Sequence, residues 1–452
     1  MELWAKTALT DAGWQHHVKV TVSDGVISHV VANHPPTGMK VGILLPAPIN
    51  LHSHAFQRAM AGLTEKRGPD GTDSFWTWRR LMYQFLAQLT PDDVEAITAF
   101  AQMEMLEAGF AHVGEFHYLH HQPDGRPYAD CAEMASRVAA AANITGIGLT
   151  LLPVLYQQAG PDGSPLGNGQ KRFGCTNNQF SQLFNASCKA IAYLPPDCRI
   201  GVAPHSLRAV TPDGLAAILD LVPNCPIHIH LAEQQAEVDA IRAAYGTSPG
   251  HWLLDNMPVD QRWCLIHGTR LDSKELTGLA KRGAVFGLCP ITESSLGDGI
   301  FDLPACIAAN GAFGVGSDSN IRIALAEELR TLEYGQRLRD HKRVIMIGDQ
   351  KSAGAGLFIA AVRGGAQALA HGAGHLCAGA PANMLALDDS LPDLANRDGD
   401  QILDSFVFCG DNRMVRHVWS AGRHIVCDGR HFAHDSITAA YHNVMQKLIT
   451  TL

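Results

Sequence analysis

Residues 43–54 read Ile-Leu-Leu-Pro-Ala-Pro-Ile-Asn-Leu-His-Ser-His, an apolar run that stops abruptly in side chains able to bind a metal. The same design returns along the chain. Apolar runs at Ile43–Leu51, His112–Tyr118, Gly146–Leu155, Ile200–Pro204, Ile227–Leu231, Trp263–His267, Ala284–Leu288 and Phe313–Gly316 alternate with helical patterns, as buried strands separated by helices do. One helix spans Pro91–Ala108, with Thr90 as N-cap, Pro91 at the first helical position and Gly109 closing the end. Another, Ala326–Arg339, is amphipathic and rich in Glu and Arg. Eight strand–helix units predict an α/β chain folded as a (β/α)8 TIM-like barrel. The alternative is a doubly wound open sheet, but no glycine-rich phosphate loop follows the first strand.

In such a barrel, chemistry gathers at the carboxyl ends of the strands. Six runs finish in titratable or metal-binding residues: His52 and His54, then Glu115, His117 and Tyr118, then His205 and Arg208, then His228, His230 and Glu233, then His267, and last Asp318. His52 and His54 are two apart, so on a strand they share a face. Alone, such a pair is also what surface or packing histidines produce. Joined by His230 and Asp318 it becomes a set of nitrogen and oxygen donors around an open position, as in a catalytic zinc site. His228 shares the face of His230 one layer deeper and reads as a hydrogen-bonded support or core residue.

The two ends differ from the middle. Val18–Val31 alternates around a Ser23-Asp24-Gly25 turn, and Met414–His431 holds short β-like runs preceded by the apolar Met384–Leu387. These features predict one small β domain built from residues 1–46 and 376–452, flanking a barrel of 47–375.

The chain has 452 residues, 46% of them hydrophobic and 17% charged, with a formal net charge of −9. An acidic balance disfavours nucleic acid and anionic membranes as partners and favours a small-molecule substrate. The first residues show no basic stretch followed by an apolar one, and no uninterrupted apolar run of ~18 residues occurs, so a cytoplasmic protein is expected. The eleven cysteines are scattered without a CxxC pair and are expected to be small buried hydrophobes in a reducing compartment.

The motifs Asn50-Leu51-His52-Ser53-His54, His230-Leu231-Ala232-Glu233, Leu265-Ile266-His267 and Gly316-Ser317-Asp318 resemble the deaminase branch of the amidohydrolase superfamily over nearly the whole chain. More narrowly, residues 50–63, Gly114-Glu115-Phe116-His117-Tyr118 and Pro204-His205-Ser206-Leu207-Arg208 resemble the formimidoylglutamate deiminase family. Ile49 departs from the proline expected before the asparagine, ahead of the ligands. The resemblance implies hydrolysis of N-formimidoyl-L-glutamate to N-formyl-L-glutamate and ammonia by a zinc-dependent homodimer. Two-metal members of the superfamily usually bridge their ions with a modified lysine on strand four or with an acidic residue. Ile200–Arg208 holds no lysine, so one zinc per chain is expected.

For that reaction, zinc would lower the pKa of water, Asp318 would accept its proton, Glu233 would shuttle a proton to the departing nitrogen, and His267 would orient the nucleophile or stabilise charge. Arg208 would pair with a substrate carboxylate, with His205 and Tyr118 as neighbouring donors. Gln57 and Arg79 resemble further substrate-binding residues of the family. Two rivals stand beside this reading. One is a deaminase of a nucleobase or adenosine derivative, which would call for stacking partners and base-edge amides. The other is a non-catalytic barrel scaffold.

Overall fold

The computed structural model describes residues 1–65, 74–346 and 351–449, and for Trp76 the backbone alone. Residues 450–452, the end of the expected β domain, lie outside them. The barrel strands are Ile49–Ser53, His112–His117, Gly148–Leu155, the split pair Arg199–Ile200 and Ala203–Pro204, Ile227–Leu231, Trp263–His267, Val285–Leu288 and Ala312–Val315. Neighbours are parallel throughout. Single bridges close the ring, Ser53 to Asp318 between strands eight and one, and Val202 to Ile227 and Ser206 to His230 between strands four and five. Two of these three bridges lie at the polar carboxyl ends of the strands.

Every residue of strands one, two, three, five, six and seven is buried. Their near-continuous apolar character follows from that, since helices cover the outside and neighbours fill the inside. Trp263, Phe286 and Phe313 are each 2% exposed or less, and each such side chain contributes about 2–3 kcal/mol through burial.

The first apolar run is two strands, not one. Met39–Pro46 leaves the barrel and joins an eight-stranded sheet, and only Ile49–Ser53 enters the barrel. Pro46 and Pro48 flank the break, where neither can donate to a ladder. In that sheet the order is Arg430–His431, Arg423–Cys427, Val415–Ser420, Met384–Leu387, Met39–Pro46, Glu2–Thr10, Gly13–Ser23 and Val26–Val31. The two chain ends meet where Met384–Leu387 runs antiparallel to Met39–Pro46.

The helices Pro91–Glu107 and Leu325–Asp340 lie within a residue or so of their expected limits. Thr90 accepts from Asp93 N, and Asp93 returns the bond to Thr90 N, a reciprocal cap. The helix Phe75–Leu86 follows strand one and carries Trp78, Arg79 and Met82 over the barrel mouth. No helix among the described residues is long and apolar enough to cross a membrane. All eleven cysteines are free; Cys175, Cys264, Cys289 and Cys306 are buried as expected, whereas five are half-buried and Cys409 and Cys427 are exposed.

Candidate active site

At the carboxyl ends of the strands, one donor atom each from His52, His54, His230 and Asp318 falls within 4.8 Å of the others. Local hydrogen bonds determine which atoms face inward. His54 Nδ1 lies 3.0 Å from the Phe116 carbonyl and His230 Nδ1 3.0 Å from the His205 carbonyl. A carbonyl only accepts, so both Nδ1 atoms carry the hydrogen and both Nε2 lone pairs point into the cluster.

His230 Nε2 stands 3.2 Å from His52 Nε2, and Asp318 Oδ1 is 3.4 Å from His52 Nε2 and 3.3 Å from His54 Nε2. Ligands about 2.1 Å from a tetrahedral ion stand about 3.4 Å apart. The four side chains therefore fit one divalent cation. Burial pushes His52 down to about 3 and keeps His54 and His230 neutral, while the imidazoles hold Asp318 ionised despite its burial. Neutral imidazole and carboxylate are the ligand forms. His228 stays outside the cluster, its Nε2 donating to the Ala368 carbonyl at 2.8 Å.

The backbone is arranged for this convergence. Asp318 N donates to His52 O at 3.0 Å and His54 N to Asp318 O at 2.9 Å. Asn50 and Ser317 exchange two bonds, and Asn320 Nδ2 donates to Ser53 Oγ at 3.1 Å. A Cβ on Gly316 would meet the His52 O, N and Cβ at 2.7–2.9 Å, so only glycine lets strand eight approach strand one here. Ala232, His267, Asp318 and Asn320 hold positive φ of 52°, 71°, 45° and 56°, strain that tends to collect at functional sites.

A cavity of about 60 Å³ opens beside the cluster, lined by His54, Gln57, Trp78, Arg79, Tyr118, His205, Arg208, His230, Glu233, His267, Leu296 and Asp318 among others. All the candidate substrate-binding and proton-transfer residues thus share one space with three of the four ligands, and His52 lies behind it. His267 Nε2 is 3.9 Å from Glu233 Oε1 and 3.8 Å from Asp318 Oδ2. Burial raises Glu233. It works against charge on His267, but Glu233, Glu293 and Asp318 hold that imidazole well above its ordinary value.

Arg208 is 5% exposed, and its Nε and Nη1 meet no hydrogen-bond partner among the described residues. Gln57 Nε2 donates to the Tyr118 hydroxyl at 2.9 Å, and Arg79 Nη2 to the Tyr156 hydroxyl at 2.9 Å. The glycine- and asparagine-rich stretch 161–178 backs this wall. Its Gln170 donates to the Tyr156 hydroxyl, and its Phe173 packs edge-on to Tyr118.

Glu293 is not among the residues expected at the strand ends, because strand seven ends in apolar Leu288. The helix Pro290–Leu296 begins two residues later and sets Glu293 Oε1 3.2 Å from His267 Nδ1, where it also accepts from Cys289 N at 2.9 Å. The available signal was Cys289-Pro290, a helix start with an acid in its first turn. Glu115 and His117, by contrast, do not line the cavity. Glu115 accepts from Ala55 N at 2.7 Å, and burial raises it to about 8.

The amidohydrolase family model matches residues 43–425. A curated formimidoylglutamate deiminase from Pseudomonas aeruginosa is 46% identical over 99% of both chains. A crystal structure of an amidohydrolase from Brucella melitensis superposes with TM-score 0.95 and 43% identity over 99% of both chains. An adenosine deaminase from Xanthomonas campestris with bound zinc has TM-score 0.83 at 20% identity, over 99% of this chain and 98% of that one, a likeness of fold alone.

Proposed function

The chain belongs to the amidohydrolase family, and from that premise we propose that it hydrolyses the C–N bond of a linear amidine, converting N-formimidoyl-L-glutamate and water to N-formyl-L-glutamate and ammonia in histidine degradation. One observation carries this substrate. Arg208 is a buried guanidinium with two donors that meet no partner among the described residues, beside the four-donor cluster, and leaving them unpaired costs far more than pairing them with a carboxylate. A substrate with two carboxylates and a small polar head supplies that partner. A nucleobase does not.

His52, His54, His230 and Asp318 would hold one zinc ion. When bound, it supplies the Lewis acidity that makes water nucleophilic at neutral pH. Asp318, kept ionised by its imidazole neighbours, accepts the proton of that water. Glu233, raised by burial, carries a proton to the amidine nitrogen so that it leaves as ammonia. His267, whose Nε2 lies 3.8 Å from Asp318 Oδ2 and 3.9 Å from Glu233 Oε1, stabilises developing charge, with Glu293 fixing its ring. Arg208 and Arg79 take the two carboxylates, and Gln57, Tyr118 and His205 complete the wall around them. A cytoplasmic homodimer, with its domain division at 46/47 and 375/376, completes the reading. The family resemblance supports the dimer, and the metabolic substrate supports the compartment.

The test is ammonia release from N-formimidoyl-L-glutamate, with adenosine and guanine as controls, before and after chelation and zinc readdition. Metal-dependent release from the amidine alone is expected. Release from a nucleobase or nucleoside instead would sink the assignment.

A further inference from the structure

Away from the barrel mouth, the outer sheet gathers a second set of nitrogen and sulfur donors. Val415–Ser420 pairs antiparallel with Arg423–Cys427. Ser420 faces Arg423 and Trp419 faces His424, but the register then shifts and Val418 faces Val426. Ile425 is thus an extra residue in the second strand, a β-bulge. Strict alternation would send His424 and Cys427, three apart, to opposite faces. The bulge returns Cys427 to the face of His424, which it shares with Trp419 and His417.

The three side chains meet there. One nitrogen of His417, one of His424 and the Cys427 Sγ lie within 4.8 Å of one another. His424 Nε2 and His417 Nδ1 are 3.3 Å apart, the spacing of two ligands on a tetrahedral ion with bonds of about 2.1 Å. The His424 ring is already fixed, stacked on the Trp419 indole at 4.7 Å and 16° and bonded to the Val426 backbone. His417 is 7% exposed, whereas His424 and Cys427 face solvent. Asp428 Oδ2 stands 3.8 Å from the thiol, and Arg416 is tied to Asp428 and Asp388. A bond between the histidines accounts for the 3.3 Å contact, but not for the bulge that turns a thiol onto the same face.

We propose that His417, His424 and Cys427 form a second metal site, solvent-accessible and separate from the barrel mouth, for a borderline cation of the zinc(II) class. Two imidazoles and a thiolate suit that class and discriminate against magnesium and calcium. Binding replaces the thiol proton with the ion and releases the proton to water, with no change of oxidation state. Water or Asp428 fills the fourth position. The ion clasps one strand of the hairpin to the other.

Cobalt(II) is the probe, because the four barrel ligands include no sulfur. The active-site-loaded protein is titrated with Co²⁺ and followed through the near-ultraviolet thiolate-to-cobalt charge-transfer band. One equivalent is expected to develop the band and zinc to bleach it. His424→Ala should weaken binding at least about 10-fold. Cys427→Ser should abolish the band, lower total zinc from two ions per chain to one, and leave turnover unchanged. Because Cys427 is exposed, this variant is expected to fold. Absence of the band in the unmodified protein, with Cys427 alkylated equally fast with and without zinc, overturns the proposal. So does a band that persists in Cys427→Ser. Neither outcome touches the amidine-hydrolysis reading, which ammonia release tests separately.

Discussion

Glu233 and Arg208 border the same 60 Å³ space but are assigned to different parts of the proposed reaction, so their variants should separate. Glu233→Gln keeps shape and hydrogen-bonding capacity but cannot deliver a proton. It should retain its metal and lose about 10²–10⁴-fold in kcat, read by steady-state kinetics alongside elemental analysis. Wild-type turnover would remove Glu233 from proton transfer. Arg208→Ala deletes a charged partner worth about 1.5–3 kcal/mol, so KM should rise roughly 10- to 100-fold with metal retained. An unchanged KM would exclude Arg208 from carboxylate recognition. Both residues were legible in the sequence because strand parity and the carboxyl-end rule act locally: a polar side chain ending an apolar run has few places to point. Glu293 was not, since its link to His267 crosses from strand six to the helix after strand seven, and nothing in residues 289–296 names that partner.

At the scale of elements, barrel closure was legible and its seam was not. The run 43–51 reads as a single strand because both halves are apolar, yet its halves serve different sheets. Glu2–Thr10 carries no clear strand pattern, since Lys6 and Thr7 interrupt its apolar residues. Phe75–Leu86 is equally weak as a helix signal, because its aromatic residues are poor helix formers. The seam between strands eight and one gives a sharp test. Gly316→Ala would force Cβ against the His52 backbone at 2.7–2.8 Å, and a shift of even a few tenths of an ångström spoils the 3.2–3.4 Å spacing of donors. Zinc affinity, measured by chelator competition, should fall at least about 10-fold with the circular dichroism spectrum intact. Unaltered affinity would show that the seam does not set the ligand geometry.

Across the whole molecule, barrel and outer sheet meet at the amino-terminal ends of the strands in a cluster of arginines and histidines, of which His112 and His371 are buried and Arg199 is exposed. Arg423 of the sheet clamps Asp197 with two bonds of 2.7 and 2.8 Å, and Arg199 donates to the Ala370 carbonyl. The His112 and His371 rings lie 4.5 Å apart, and His371 Nδ1 accepts from Ala373 N. Burial, aided by Arg199, pushes His371 from an ordinary 6.5 down to about 4, and burial, with His371 beside it, holds His112 well below its ordinary value. A base depressed in the fold contributes stability that is complete above its unfolded pKa and is lost as pH falls from about 6.5 toward 4. Over that window His371 accounts for roughly 3 kcal/mol, of which about 2 is lost by pH 5. His371→Gln keeps an acceptor for Ala373 N and cannot take up the proton. Its unfolding free energy, from denaturant titrations at pH 7 and pH 5, should therefore fall by about 2 kcal/mol less than that of the unmodified protein. Loss of zinc in acid is common to both proteins and cancels in the difference. Equal acid sensitivity would mean that His371 is already protonated in the fold at pH 5, and that this junction does not set the acid limit of the molecule.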